Sequence, residues 1–449
     1  MKPYKLILIL SVISVLFSCT KKDPYTIPQS ETEIVNDFVY STTTTYYLWE
    51  SQIHTGINYL EYTDSYQLFD DLKNTELDHW SFLHDDYQVV LNSFNGIDKT
   101  AGYKMKLFQY EGSNDVFGIV EYVYKDGPAY NVGLKRGDYL LKINGQTLNT
   151  DNYIDLLSYD QYTATIGENI DNQIIETNTV SITTVEMTIN PVLDYKVIDV
   201  SGTKIGYLLY DQFIEDYFTD LENVFIYFKA QGVTELILDL RYNPGGYVTT
   251  CSKLASMIAP ASAIGDVFIT EQWNDLLTDY LASNYGENSE YFIDYFPTPN
   301  VNLNLSRIAI LTSNRTASAS EAIINGLEPY MEVKIIGDTT AGKYTGASLF
   351  YDDVEYKHTW GLYLVINKIA NAVGNTDFVN GFAPDIAVQD DYSTPVGDVD
   401  EVLTATAISY LTGGLTKDYK SKFINLNSFN FYQNKFEREG LMIQNKIKK

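Results

Sequence analysis

The stretch at 316–327, TASASEAIINGL, crowds hydroxyl-bearing and small residues against an apolar helical pattern opened by Glu321. Two chemistries suit it. A serine or threonine there can cap the helix, its side-chain oxygen accepting one of the first unpaired N–H groups. A serine there can also be a nucleophile, because helix-terminal amides and the helix dipole favour the negative charge that builds on an attacked carbonyl. Ser318, with the Ala319 amide directly behind it, suits the second role, and Thr316 and Ser320 suit the first equally well. A serine hydroxyl is weakly acidic, so the nucleophile reading needs a base within hydrogen-bond reach. It also needs a second oxyanion donor, and the glycines of RYNPGG (241–246) let the main chain approach a substrate closely. Gly245 is favoured over Gly246.

A serine–histidine scheme has little to draw on. Only His54, His79, His84 and His358 exist, and His358, in the strand-like run EYKHTWGLYLVI, reads as a partly exposed structural side chain. His79 and His84 are five apart, which suits neither one helical face nor a zinc-ligand spacing, so neither a metal nor an organic cofactor is expected.

The elements that must position Ser318 follow from pattern. From about 200 to 410 strand-like and helix-like segments alternate: IGYLLYDQF, then LENVFIYFKAQG ending at Gly232, ELILDL, TTCSKLASMIA, RIAILTS, the helix after Ser318, and EVKIIGD. Such alternation predicts a parallel or mixed sheet covered by helices, with sites at the carboxyl ends of strands. RYNPGG and NRTASAS both fall there. Residues 270–305, acidic and aromatic without clear alternation, read as an insertion over the sheet edge. The tail NKFEREGLMIQNKIKK is basic and amphipathic and reads as a packed or frayed helix.

Upstream, 31–91 mixes helical periodicity with aromatics, a small helical N-terminal region, and 92–192 turns to short β runs. Within the latter, GPAYNVGLKRGDYLLKINGQTL (127–148) resembles a PDZ domain. Such a domain binds an extended peptide as an added strand; the resemblance puts its carboxylate-binding loop at Gly102, Tyr103, Lys104 and Met105.

The chain has 449 residues, 45% of them hydrophobic, with 38 tyrosines and 21 phenylalanines, enough apolar material for two or three packed domains. The formal charge of −28 repels polyanions, which excludes nucleic acid as a partner class. Residues 1–19, MKPYKLILILSVISVLFSC, place two lysines ahead of an apolar run too short for a comfortable membrane span. Their ending resembles a bacterial lipobox, which implies lipidation at Cys19 after removal of the signal peptide. The mature chain would then be a soluble body tethered in the bacterial cell envelope, facing the periplasm or the outside. Cys251, the other cysteine, reads as a buried small side chain.

LILDLRYNPGG (236–246), TASASEAIINGL (316–327) and GDTTAGKYTGA (337–347), together with the PDZ-like insert and GFAPDIAV, resemble in kind and order the C-terminal processing peptidases, or tail-specific proteases. The resemblance spans about 92 to 390. It implies a crotonase-like/ClpP-like peptidase core, polypeptide substrates selected through a free apolar C-terminus, and a Ser/Lys dyad. Ser318 takes the nucleophile position and Lys343, 25 residues later, the general-base position. A lysine serves as base if its pKa falls from about 10.4 toward 7 to 8, a shift worth about 4 kcal/mol. Burial away from carboxylates supplies such a shift, and 339–342 carry no charge. Two positions depart from the family: Ala347 stands where a glutamine often orients the lysine, and Pro329 where some members carry an aspartate. Thr345, Ser348 and Tyr344 each offer a hydroxyl as substitute.

The resulting fold class is multidomain α/β and β. Signal peptide 1–19, linker 20–30, helical region 31–91, PDZ-like domain 92–192, peptidase domain 193–412 and tail 413–449 follow in order. A non-hydrolytic peptide-binding lipoprotein on the same scaffold is the alternative; oligomeric state and membrane face stay open.

Overall fold

A computed structural model describes residues 30–414, apart from 111, 171, 172 and 356, together with the strands Asn427–Phe429 and Leu441–Ile443. Cys19 and the linker up to residue 29 lie outside the described residues.

The N-terminal helix Glu31–Tyr46 opens at Ser30, whose Oγ accepts the Glu33 N–H while the Glu33 carboxylate accepts the Ser30 N–H. That reciprocal pair satisfies two end donors that would otherwise be left over. The region is not helical throughout. Between helices Ser65–Leu72 and Tyr87–Phe94 lies the strand Phe82–His84, which pairs antiparallel with Gly361–Asn371 of the peptidase domain, Phe82 opposite Tyr363. Val35, Val39, Leu68, Phe82 and Phe94 share one core with Tyr363 and Leu364, so this region is packed into the peptidase body.

The PDZ-like domain is closed at its neck by pairing of Ile97–Thr100 with Val185–Thr188. Inside, Tyr103–Gln109, Val116–Val123, Tyr139–Ile143, Gln161–Ile170 and Gln173–Thr183 form an antiparallel sheet. The short helix Pro128–Asn131 starts with proline at its first position, where the missing N–H costs nothing.

The central sheet runs in the order Val192–Val200, Thr203–Tyr210, Glu235–Asp239, Arg307–Thr312, Glu332–Gly337, Ile386–Ala387, antiparallel at its first pair and parallel thereafter. Helices Phe218–Gln231, Val248–Ile258 and Ala319–Leu327 cover one face, packing on Leu208, Leu236, Leu238, Ile308 and Ile310. Helix Val402–Thr412 covers the other, against Ile205, Leu209, Ile237 and Leu311. Burial on both faces is why ELILDL and RIAILT read as continuous apolar runs.

Two segments differ from expectation. Residues 267–295 are integral to a second sheet: Val267–Trp273 pairs with Gly361–Asn371 and with Ile293–Tyr295, flanking helix Asp275–Tyr285. Glu271 takes a buried position of that strand, opposite Ile369, which breaks the alternation of apolar and polar residues. In the tail, Leu441–Ile443 is extended, in parallel register with Gly245–Tyr247, and Asn427–Phe429 pairs antiparallel with 107–109. An open strand edge offers N–H and C=O groups that an extended segment satisfies. Among the described residues no helix is long and apolar enough to cross a membrane.

Candidate active site

Asp239 and Leu311 are parallel neighbours, so the loops that follow their strands leave the sheet side by side. Side-chain hydroxyls join them. Thr316 Oγ1 donates to the Leu240 carbonyl at 2.8 Å, Ser320 Oγ to the Asn243 carbonyl at 3.1 Å, and Ser313 Oγ to the Arg241 carbonyl. The Ala317 N–H adds a bond to the Asn243 carbonyl at 3.2 Å, and the Ala341 N–H reaches the Thr316 carbonyl at 2.9 Å, bringing in the GDTTAGK loop. Thr316 and Ser320 are thereby spent on joining loops.

Ser318 is different. It is fully buried at the head of helix Ala319–Leu327, with φ 61° and ψ −112°. A β-carbon in that region costs about 1–3 kcal/mol and persists only where the surroundings enforce it. Ser318 and Glu321 stand as the two ends of a capping box, yet Oγ makes no well-formed cap hydrogen bond and has no partner among the described residues. A buried polar atom without a partner is costly and needs an explanation.

Glu321 enforces the conformation. It is fully buried, and its two oxygens receive four donors: Thr340 Oγ1 at 2.6 Å and the Gly342 N–H at 2.7 Å on Oε1, and the Ser318 and Lys343 N–H groups, each at 2.8 Å, on Oε2. The backbones of both dyad positions therefore hang on one oxygen atom. Burial pushes the Glu321 carboxyl up to about 7, against the downward pull of those hydrogen bonds. In sequence Glu321 reads only as the opener of a helix. The signal available was its place three residues after a serine in an otherwise apolar helix, where a charge has no reason to be buried unless several donors meet it.

Lys343 is also fully buried. Its Nζ donates to Tyr363 Oη at 3.0 Å and lies 4.8 Å from the centre of the Tyr363 ring and 5.5 Å from that of Trp80. The residue before it, Gly342, has φ +88°, and a Cβ there would stand 2.3 Å from the Val379 carbonyl oxygen. The charge-free surroundings read from 339–342 are incomplete, since the fold brings the Glu321 carboxylate to the Lys343 backbone. Among the substitute hydroxyls, Thr345 Oγ1 is buried without a partner among the described residues, and the Tyr344 ring lies edge-on to Phe378 and under Lys368. Ala347 is buried and apolar.

Gly245 and Gly246 are buried with φ of 112° and 140°. A Cβ on Gly246 would fall 2.3 Å from the Phe213 carbonyl oxygen, so the loop admits only glycine there. The Gly245 N–H donates to Asn243 Oδ1 at 2.9 Å, and Gly246 pairs in parallel register with Met442 of the tail strand.

The residues of the PDZ-like loop sit together at the start of strand Tyr103–Gln109, well inside the domain's packing. The Gly102 carbonyl takes the Tyr124 N–H, Tyr103 Oη meets Tyr162 Oη at 3.0 Å, and Met105 is fully buried. Lys104 reaches the peptidase domain: its Nζ is 2.9 Å from Asp211 Oδ1, and Tyr124 Oη donates to Asp211 Oδ2. Arg315, three residues before Ser318, pairs with Glu121 at 2.8 Å and donates to the Met105 carbonyl. The two domains thus meet through buried ion pairs beside the nucleophile loop.

His358 is buried, not partly exposed; its ring lies 4.5 Å from Phe38 and its Nδ1 accepts the Trp360 N–H. His79 is exposed, and His84 Nδ1 accepts the Asp86 N–H. Cys251 Sγ donates to the Ala319 carbonyl at 3.2 Å, and burial pushes its thiol up.

The pattern described as "Peptidase family S41" matches residues 204–388, a PDZ domain matches 119–165, and the S41 N-terminal domain matches 35–82. A carboxyl-terminal-processing protease of Synechocystis sp. is 24% identical over 303 residues, covering 66% of this chain and 65% of the relative. The carboxy-terminal processing protease CtpB of Bacillus subtilis is 24% identical over 285 residues, covering 63% of this chain and 55% of the relative. The chain thus spans less than two thirds of the length of these relatives. A crystal structure described as an S41 protease from Bacteroides fragilis shares the fold with a TM-score of 0.69 at 24% identity, over 87% of this chain and 99% of that one. The photosystem II D1 C-terminal processing protease does so with a TM-score of 0.50 at 19% identity, over 84% and 98%. With N-terminal, PDZ and peptidase segments matched in order, the chain belongs to peptidase family S41.

Proposed function

We propose that the chain is a serine endopeptidase that cleaves polypeptides through an acyl-enzyme, with Ser318 as nucleophile and Lys343 as general base. The observation that carries this reading is Ser318: strained backbone at a helix start, a buried hydroxyl with no well-formed hydrogen bond among the described residues, and a carboxylate oxygen shared with the backbone of the buried lysine. A serine used only as a cap would spend its Oγ on the first amides and would not need φ above zero.

In the first half-reaction the neutral Lys343 amine takes the Ser318 proton as Oγ bonds to the substrate carbonyl carbon. The oxyanion rests on the amides of Ala319 and of Gly245 or Gly246, worth about 3–4 kcal/mol per donor in the transition state. The tetrahedral centre then collapses, the C–N bond breaks, and the departing amine takes the proton from Lys343. Water, deprotonated by Lys343, attacks the ester, and Ser318 leaves with its proton restored. Since neither side chain shows exposed surface, substrate gains access only when covering segments move.

The PDZ-like domain supports selection through a free, apolar C-terminus, a peptide adding as a strand near Gly102–Met105. The N-terminal apolar stretch ending at Cys19 supports a lipid-anchored protein of the bacterial cell envelope. The test is a mass-spectrometric time course of an unfolded polypeptide with an apolar C-terminus, using the chain from residue 20 and its Ser318→Ala and Lys343→Ala variants. Fragments from the parent alone support the dyad. Binding without fragments, across several substrates, would replace the enzyme with a peptide-binding lipoprotein.

A further inference from the structure

We infer that Tyr363 is the positioning residue of Lys343, holding its amine by a hydroxyl and a ring face in place of the glutamine that resembling peptidases often carry four residues after the lysine. The inference rests on the dyad reading.

Ala347, at the glutamine position, has no polar atom, and it is packed in the apolar cluster that also contains Tyr363. Thr345, two residues nearer, leaves its Oγ1 without a partner among the described residues, Lys343 included, and so does not serve the amine. The hydroxyl that does, at 3.0 Å from Nζ, comes from the neighbouring strand. Antiparallel register sets it there: Gly361–Asn371 runs beside Thr345–Tyr351 with Tyr363 opposite Leu349, and on its other side lies Phe82. The ring cannot swing away. Its centre is 5.2 Å from that of Phe82 and 5.4 Å from that of Phe94, the latter edge-on, and the residue is fully buried.

A lysine stem has four rotatable carbons, so its amine is a poor base unless something fixes it. Here one rigid side chain supplies both a hydrogen-bond acceptor and, with Trp80, a π face over which the amine lies. Trp80 and Phe82 belong to the N-terminal region, and Phe94 ends the helix Tyr87–Phe94 that leads out of it. That region therefore builds the wall against which the base is set, which gives its strand pairing with the peptidase sheet a purpose beyond tethering. Titratable groups at this pocket include Glu321, on the nucleophile helix, Tyr363 itself and Tyr344; Asp78, near Trp80 in sequence, accepts from Tyr47 Oη and acts on Tyr344.

The test is Tyr363→Phe, which deletes the hydroxyl and keeps the ring. We expect kcat to fall about ten- to hundredfold with KM within twofold, as for a misplaced base. The acidic limb of the kcat/KM profile should also move to lower pH, because the lost acceptor favoured the ammonium form. Replacement by 3-fluorotyrosine, whose weaker acceptor leaves the shape intact, should move the limb the same way. Parental kcat and an unmoved limb in Tyr363→Phe would overturn the inference. So would a lower kcat with an unmoved limb in both variants, which is the mark of packing alone. Ser318→Ala and Lys343→Ala run alongside: if they still cleave, the dyad reading fails first, and if they are silent while Tyr363→Phe is parental, only the role of Tyr363 falls.

Discussion

Replacing Glu321 by glutamine separates what holds the site from what holds the fold. Four donors converge on its carboxylate, three of them backbone N–H groups that cannot turn into acceptors. An amide keeps one oxygen and puts an NH2 in place of the other. The least costly orientation sets that NH2 against Thr340 and Gly342, since a hydroxyl can rotate, and leaves the buried Gly342 N–H without an acceptor. That costs about 1–3 kcal/mol. Against this stands the burial of the charge. A carboxyl raised from 4.5 to about 7 carries a folding penalty of about 3 kcal/mol once fully ionised. The sign follows from the raised native value: the contribution of this group to stability is intact below about pH 4.5 and is lost as pH rises through about 7. The variant escapes that loss. Glu321→Gln should therefore be less stable than the parent by about 1–3 kcal/mol at pH 5, where the parent carboxyl is neutral, and close to it at pH 8, in urea unfolding followed at both values. Activity should fall about a hundredfold at either pH, because the Gly342 N–H, one residue before Lys343, loses its acceptor and the turn that carries the base keeps one of its two backbone bonds to residue 321. A stability difference that does not change between pH 5 and pH 8 would refute the argument, as would a variant with parental kcat.

Two further substitutions probe the frame. Gly342→Ala puts a Cβ 2.3 Å from the Val379 carbonyl oxygen at a φ of +88°, so peptide cleavage should drop at least tenfold in steady-state assays while far-ultraviolet circular dichroism is unchanged. Lys104→Met strands the buried Asp211 charge at the domain junction and should cost about 3–5 kcal/mol in urea unfolding, with most of it recovered in Lys104→Met/Asp211→Leu.

How far the site could be read in advance depended on which physical rule placed each residue. Strands buried on both faces announce themselves as apolar runs, and loops after neighbouring parallel strands must emerge together. That is why RYNPGG and NRTASAS could be joined before any coordinates. Val267–Trp273 escaped because the buried Glu271 interrupts its alternation, and the strand at Phe82–His84 because three residues carry no period.

The same reasoning explains why Glu321 and Tyr363 were the residues whose roles stayed hidden. A nucleophile and a base are legible because chemistry demands particular side chains, and a helix start or a glycine turn marks where they stand. The groups that aim them face no such demand: any acceptor able to collect three N–H groups, and any rigid hydroxyl within reach of an amine, would do. Tyr363 meets the need only because antiparallel register sets it opposite both Leu349 and Phe82, which leaves its ring wedged by Phe82 and Phe94 with its oxygen on Nζ. Register is a property of three strands together, two from the peptidase domain and one from the N-terminal region. A one-residue slip in the pairing of Phe82 would carry that wedge to the opposite face of the sheet. Insertions in the loop before Phe82 should therefore damage catalysis more than their distance from Ser318 along the chain suggests.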